Sequence, residues 1–334
     1  MKKNILPLIF LSLMLPAVKA QQSGSGIYKF LEIPVSTHAA ALGGNTVSVI
    51  DDDLSLVYHN PALLGKEMNN MLSLDYNAYV ANITIGTATY CKSTERFGTF
   101  AGGFHYMDYG SITGRTATNE ETGTLAIKDI AGCLFYSYDF SDRWRGGVGS
   151  KFIYSNYADY SSFGIAVDLG LSYYDPDNEY SFGLALKNMG SQIVSYNDVY
   201  EKMPWDLQVG FTKQLAHAPF KISVTMQNMR EWDFTSSQSM DGQTTRTDNT
   251  NFAQKCLNHL LLGVDFTPGK NFYASIGYNY RRRTELAVGD KAGLTGFSAG
   301  AGLRIKSYRV GFAVAQYHVS GLSYHFSIAR NFGY

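Results

Sequence analysis

From about Met71 to Tyr334, apolar and polar residues alternate in some fourteen short runs. The last run shows the pattern best: Leu322, Tyr324, Phe326, Ile328, Phe332 and Tyr334 fall on one side of an extended chain, and Ser323, His325, Ser327, Ala329, Asn331 and Gly333 on the other. Side chains of a strand alternate with period two, so each run predicts a strand with one apolar and one wet face. The runs lie at about 71–80, 83–91, 97–107, 127–139, 144–155, 163–174, 180–188, 205–215, 220–228, 258–267, 271–281, 297–306, 308–317 and 322–333. Most are nine to thirteen residues long, and a tilted strand crosses the hydrocarbon in roughly 9–11.

The gaps carry more information than the runs. Those after even-numbered strands are turn-like, as at 92–96, 140–143, 175–179, 216–219, 267–270 and Ser307, whereas several after odd-numbered strands are long, at about 108–126, 189–204, 229–257 and 282–296. A bacterial barrel with both termini in the periplasm has short turns there and longer loops outside. A soluble sandwich has no reason to keep that parity. The fold class predicted is therefore a 14-stranded antiparallel outer-membrane β-barrel, with Gln21 and Tyr334 on the periplasmic side. Tyr173, Tyr174, Tyr180, Trp144, Trp205, Tyr278 and Tyr280 cluster near strand ends, as interfacial girdles require.

Three segments follow: a signal peptide over 1–20, an N-terminal segment over 21–70 and the barrel over 71–334. Lys2 and Lys3, the apolar stretch Ile5 to Val18 and the Val18-Lys19-Ala20 end read as a secretory signal. Beyond it no stretch approaches the roughly 18 consecutive apolar residues of a spanning helix. Lysine and arginine total 28 against 28 acidic residues, a balance that gives no reason to expect nucleic acid as a partner. Cys91, Cys133 and Cys256 are odd in number and far apart, so no disulfide framework is implied.

Residues 28–64 break the alternation. Ser36 to Leu42 predicts a short helix ended by Gly43 and Gly44, which tolerate positive φ, and Asn60 caps a second turn with Pro61 at its first position. A piece this short folds inside a fourteen-stranded lumen and blocks it as a hatch, with Ala41, Leu42, Gly43, Gly44, Asn45, Asn60, Pro61 and Ala62 as its defining residues.

The Ala-Leu-Gly-Gly-Asn element (41–45) and the Asp51-Asp-Asp-Leu-Ser-Leu-Val-Tyr-His-Asn-Pro-Ala-Leu-Leu64 run, behind a Phe-Leu-Glu-Ile-Pro lead (30–34), resemble the hatch of FadL-like outer-membrane proteins. Within them the resemblance is to the PorV/PorQ group of the type IX secretion system of Bacteroidota. It implies a fourteen-stranded barrel that holds a surface-exposed, PorZ-like protein partner beside the sortase machinery that fixes cargo to lipopolysaccharide.

The remaining chemistry is sparse. Asp51, Asp52 and Asp53 lack the glycine and distal Glu of a calcium loop and read as a solvated turn. Gly146 to Gly149 matches no nucleotide fingerprint and reads as close packing in the wall. No metal, cofactor or catalytic constellation is expected, since no His-x-x-x-His pair occurs. Arg281, Arg282 and Arg283, at the base of an outer loop, suit lipopolysaccharide phosphates or simply solvent. Lys151, Asp168, Lys187, Asp206, Asp265 and Arg304 are expected to face the lumen, where they line a pore or, the better fit to a plugged barrel, clamp the hatch. The rival function, a transporter of a hydrophobic small molecule, requires an apolar pocket between hatch and wall and a kinked strand, for which Gly98, Gly102 and Gly103 are candidates.

Overall fold

The computed structural model describes residues 26–115, 121–158, 160–230, 252–285, 294–318 and 321–333. The signal peptide, Gln21, Tyr334 and most of the 229–257 loop lie outside them. Fourteen strands close on one another in sequence order, β1 against β14. They are β1 (Met71–Ala78), β2 (Thr84–Thr94), β3 (Gly98–Arg115), β4 (Glu121–Asp139), β5 (Trp144–Tyr157), β6 (Tyr160–Asp175), β7 (Tyr180–Val194), β8 (Asp206–Gln214), β9 (Phe220–Met226), β10 (Leu260–Gly269), β11 (Phe272–Asn279), β12 (Phe297–Ile305), β13 (Tyr308–His318) and β14 (Gly321–Asn331). All neighbours are antiparallel, and the seam runs from Met71↔Asn331 to Ala78↔Tyr324. Closure leaves no sheet edge for the bilayer to expose.

The alternation predicts the two faces correctly. On β14, Leu322, Tyr324, Phe326 and Ile328 are 40–46% exposed, whereas Ser323 and His325 between them are buried. Polar residues inside and apolar residues outside invert a soluble protein and suit a lipid-facing wall. At the end carrying the short turns, outward rings form chains such as Trp144–Tyr173–Tyr180–Phe182, a girdle at interfacial depth.

Two boundaries differ from the sequence reading. The expected long gap at 108–126 is largely strand: β3 and β4 stay paired to Arg115↔Glu121 across a bulge at Asp108/Ser111. Glycine, aspartate and an uneven alternation there mimic a loop, although cross-strand pairing carries the ribbon onward. Strand β7 also runs past 188 to Val194 by absorbing an irregularity opposite Asp168, where Asn188 takes φ 55°.

Among the described residues there are three α-helices, α1 (Thr37–Ala41), α2 (Phe252–Asn258) and α3 (Tyr280–Glu285). The core sits in the lumen: Phe30, Leu54, Leu56, Leu64 and Met68 are almost wholly buried.

Candidate functional site

The site is the interface between residues 26–68 and the inner wall. Two local signals build the hatch as expected. The Ser36 hydroxyl accepts from the Ala39 amide and caps α1, and Gly43 and Gly44, at φ 104° and 131°, turn the chain away. Asn60 accepts from the Ala62 amide and caps a 3-10 turn with Pro61 at its first position. Its amide group also donates to the Val47 carbonyl at 2.8 Å and to Leu171 on β6 at 3.4 Å.

The wall receives this backbone at glycines. A Cβ on Gly147 would overlap the main chain of Pro61 and Ala62, one on Gly183 that of Val47, and one on Gly277 that of Leu42 and Gly43. Within 146–149, Gly147 is thus room made for the hatch, whereas Gly146 and Gly149 make room for the rings of Phe140 and Phe135. Gly103 makes room for the Tyr58 hydroxyl, and β3 pairs without a break with β2 from Gly98, and with β4 from Thr99, to Asp108. No gap opens between these strands at Gly98, Gly102 or Gly103, the positions offered for a lateral opening.

Polar ties surround these contacts. Ser298 and Ser137 donate to the carbonyls of Ala41 and Leu64 at 2.8 and 2.6 Å. Ser55 donates to Asp75 at 2.5 Å, and Tyr58 pairs with Thr89 at 3.0 Å. His59 Nδ1 meets Asn45 at 2.9 Å, and Asn45 donates onward to Gln227 at 2.9 Å. Burial, with Lys187 and Lys151 nearby, holds the His59 imidazole well below its usual range, so it is neutral.

A charged latch is the strongest feature. His38 on α1 bridges Asp51 at 3.0 Å and Asp265 of β10 at 2.9 Å and stacks on Tyr273 at 4.1 Å. Arg309 of β13 grips Asp51 and Asp52 together, and Arg304 of β12 reaches Asp52. Burial alone would favour neutral His38, but the carboxylates of Asp265 and Asp51 outweigh it and raise the imidazole to about 9. Burial opposes the Asp51 charge as well, and Arg309 and His38 nonetheless hold it far below the carboxylate range. Asp51 and Asp52 are therefore fixed counter-ions rather than the solvated turn expected, and Asp53 caps the turn at Ser55. The sequence places two of its arms, Asp265 and Arg304, among the hatch clamps but not His38, Asp51 or Arg309, which only barrel closure brings together; the available signal was an arginine on the inward parity of β13.

The other predicted residues divide. Lys151, Asp168, Lys187, Asp206 and Asp265 are buried inside the wall. Lys151 pairs with Asp168 at 2.7 Å and donates to Asn188 at 2.6 Å, which ties β5 to β6 and β7. Arg282 of α3 points into the lumen: its guanidinium donates to the Gly43 carbonyl at 3.0 Å and covers the Tyr317 ring at 4.2 Å. It is a strap over the hatch, which removes it from the outward phosphate-binding trio proposed with Arg281 and Arg283. The first described residues of the hatch are tied to the wall as well. Ile27 donates to Lys202 in the β7–β8 connection at 3.1 Å, and Tyr28 meets Ser162 at the start of β6 at 2.5 Å. Residues 27–30 thus lie at the long-connection end, opposite Asn331, where Ile27, Tyr28 and Phe30 bury their apolar surface; Gln21 lies outside the described residues.

Between hatch and wall, Leu31, Val35, Tyr58, His105, Lys151 and Lys187 enclose a cavity of about 10 Å³, room for a single water. Among the described residues no cluster of His, Cys, Asp or Glu could hold a metal ion.

These features define a class: a closed fourteen-stranded barrel plugged by its own N-terminal segment. No known family model matches the sequence, and no curated protein resembles it closely enough in sequence to register. Solved structures do share the fold. The toluene transporter TodX of Pseudomonas putida superposes with a TM-score of 0.56 at 12% identity, over 90% of this chain and 99% of that one. The monoaromatic hydrocarbon channel CymD gives 0.52 at 13%, over 90% and 97%, and a Pseudomonas aeruginosa FadL homologue 0.53 at 11%, over 89% and 98%.

Proposed function

We propose that this chain is a non-enzymatic barrel of the outer membrane, its short turns in the periplasm and its long connections outside, acting as a plugged scaffold of the PorQ type. It anchors a surface protein, PorZ-like in chemistry and position, beside lipopolysaccharide in the type IX attachment machinery. One observation carries this reading: the cavity beneath Leu31, Val35 and Tyr58 holds about one water, and the larger opening beside His38 and Asp51 is lined by charged side chains, so neither suits an apolar ligand. The resemblance of residues 30–64 to the PorV/PorQ hatch supports the specific assignment.

The neighbours taken alone favour a second reading, a FadL-type channel for a hydrophobic small molecule, since TodX and CymD are named as hydrocarbon channels. The two readings part in one experiment. Pure protein in lipid vesicles is assayed for uptake of labelled toluene, and cells lacking residues 232–251 are assayed for retention of surface proteins at the outer membrane. The scaffold reading expects no uptake above empty vesicles and loss of one retained protein. Uptake with unchanged retention would overturn it in favour of the channel.

A further inference from the structure

The short-turn end of the barrel opens into a pocket of about 170 Å³ between the hatch and strands β9 to β13. His38 and Asp51 belong to its hatch side, and Lys221, Lys270, Arg304 and Arg309 to its wall. Opposite charges there do not cancel. His38, Arg304 and Arg309 are matched by Asp265, Asp52 and Asp51. Lys221 and Lys270 make no ion pair or hydrogen bond among the described residues.

Both lysines are placed for a ligand. Lys221 sits on β9 in register with Asp265, on the same inward face as the buried Ser223 and Thr225. Lys270 stands in the exposed β10–β11 turn at the rim. Arg304 is half-buried between them and the hatch, shared with Asp52 alone. Two ammonium groups and a guanidinium around a pocket of this size match the oxygens of a small dianion: guanidinium binds an oxyanion face in a fork, and lysines add point charge.

We propose that this pocket binds a phosphate-sized oxyanion from the short-turn side, and that the anion competes with Asp52 for Arg304. The ligand then trades against a hatch contact, so occupancy on this side weakens one arm of the latch. The site rests on the proposed orientation only for its source compartment; the binding itself does not depend on it.

The test is titration calorimetry of the purified full chain in a neutral detergent, with inorganic phosphate and glycerol 3-phosphate as probes. Chloride at equal ionic strength is the control. Phosphate is expected to bind with millimolar or better affinity, and the double variant Lys221→Ala with Lys270→Ala to bind at least tenfold more weakly. Lys270→Ala alone, in an exposed turn, is expected to retain the fold and lose severalfold affinity. Asp52→Asn is expected to bind more tightly because it frees Arg304. Equal binding by wild type and the double variant overturns the site, and unchanged or weaker binding by Asp52→Asn overturns the competition. Stronger binding of the ester than of phosphate points to a headgroup or phosphorylated metabolite as the source; the reverse points to the free ion.

Discussion

Replacing Arg309 by alanine tests the latch directly. Its guanidinium holds Asp51 and Asp52 together and lies 5.9 Å from the Tyr273 ring centroid. Removing one partner of a buried ion pair leaves the other charge stranded and costs about 3–5 kcal/mol. The arginine side chain is 15% exposed and the carboxylates 18% and 23%, so water recovers part of the loss, and the lower end, ~3 kcal/mol, applies. That corresponds to a roughly 150-fold rise in the population with the hatch loosened. The barrel ladder takes no part, because the main chain of Arg309 still pairs with Arg304 and Ala329. Hydrogen exchange of the purified protein reads this as faster exchange confined to about residues 36–64, with strands β2 to β8 unchanged. Arg309→Lys, which keeps charge but loses the fork, is expected to fall between. Exchange in the hatch within threefold of wild type would refute the reasoning, since it would mean that the glycine contacts and neutral hydrogen bonds hold the hatch alone.

The same latch is expected to respond to pH. The folded imidazole of His38 is raised to about 9 from an ordinary value near 6.5, so its contribution is complete below about 6.5 and lost as pH rises through about 9. Hatch exchange, corrected for intrinsic rate, is expected to rise between pH 8 and 10 in wild type and to be flat in His38→Gln. Steric fit gives a separate test: Gly147→Val drives side-chain atoms into Pro61 and Ala62, whereas a Cβ on Gly86 meets nothing within 4 Å. Melting followed by gel mobility is expected to show loss of several kcal/mol for Gly147→Val and almost none for Gly86→Ala. Asn60→Ala removes a cap and the amide bonds to Val47 and Leu171, an expected loss of about 2 kcal/mol by denaturant titration.

What the sequence makes legible follows from the range of the interactions concerned. Period-two alternation is local, and so the strands and their two faces are readable from Phe326 or Ser323 without knowing their neighbours. The same holds for the caps at Ser36 and Asn60, which act within three residues. The β3–β4 ribbon is misread because its strands are stabilised by each other rather than by their own pattern. The latch is hidden for a related reason: His38 and Asp265 are 227 positions apart, and only barrel closure makes them neighbours. The glycines show how one residue type belongs to both cases. Gly146 to Gly149 is readable as close packing, yet what packs on Gly147 is the turn at Pro61, more than eighty positions earlier. A wall that alternates specifies its own geometry. Its glycines and inward charges specify something else, the shape and charge of the segment that fills it, and the hatch carries the complement of both in Ala41 to Gly44, Asp51, Asp52 and Asn60.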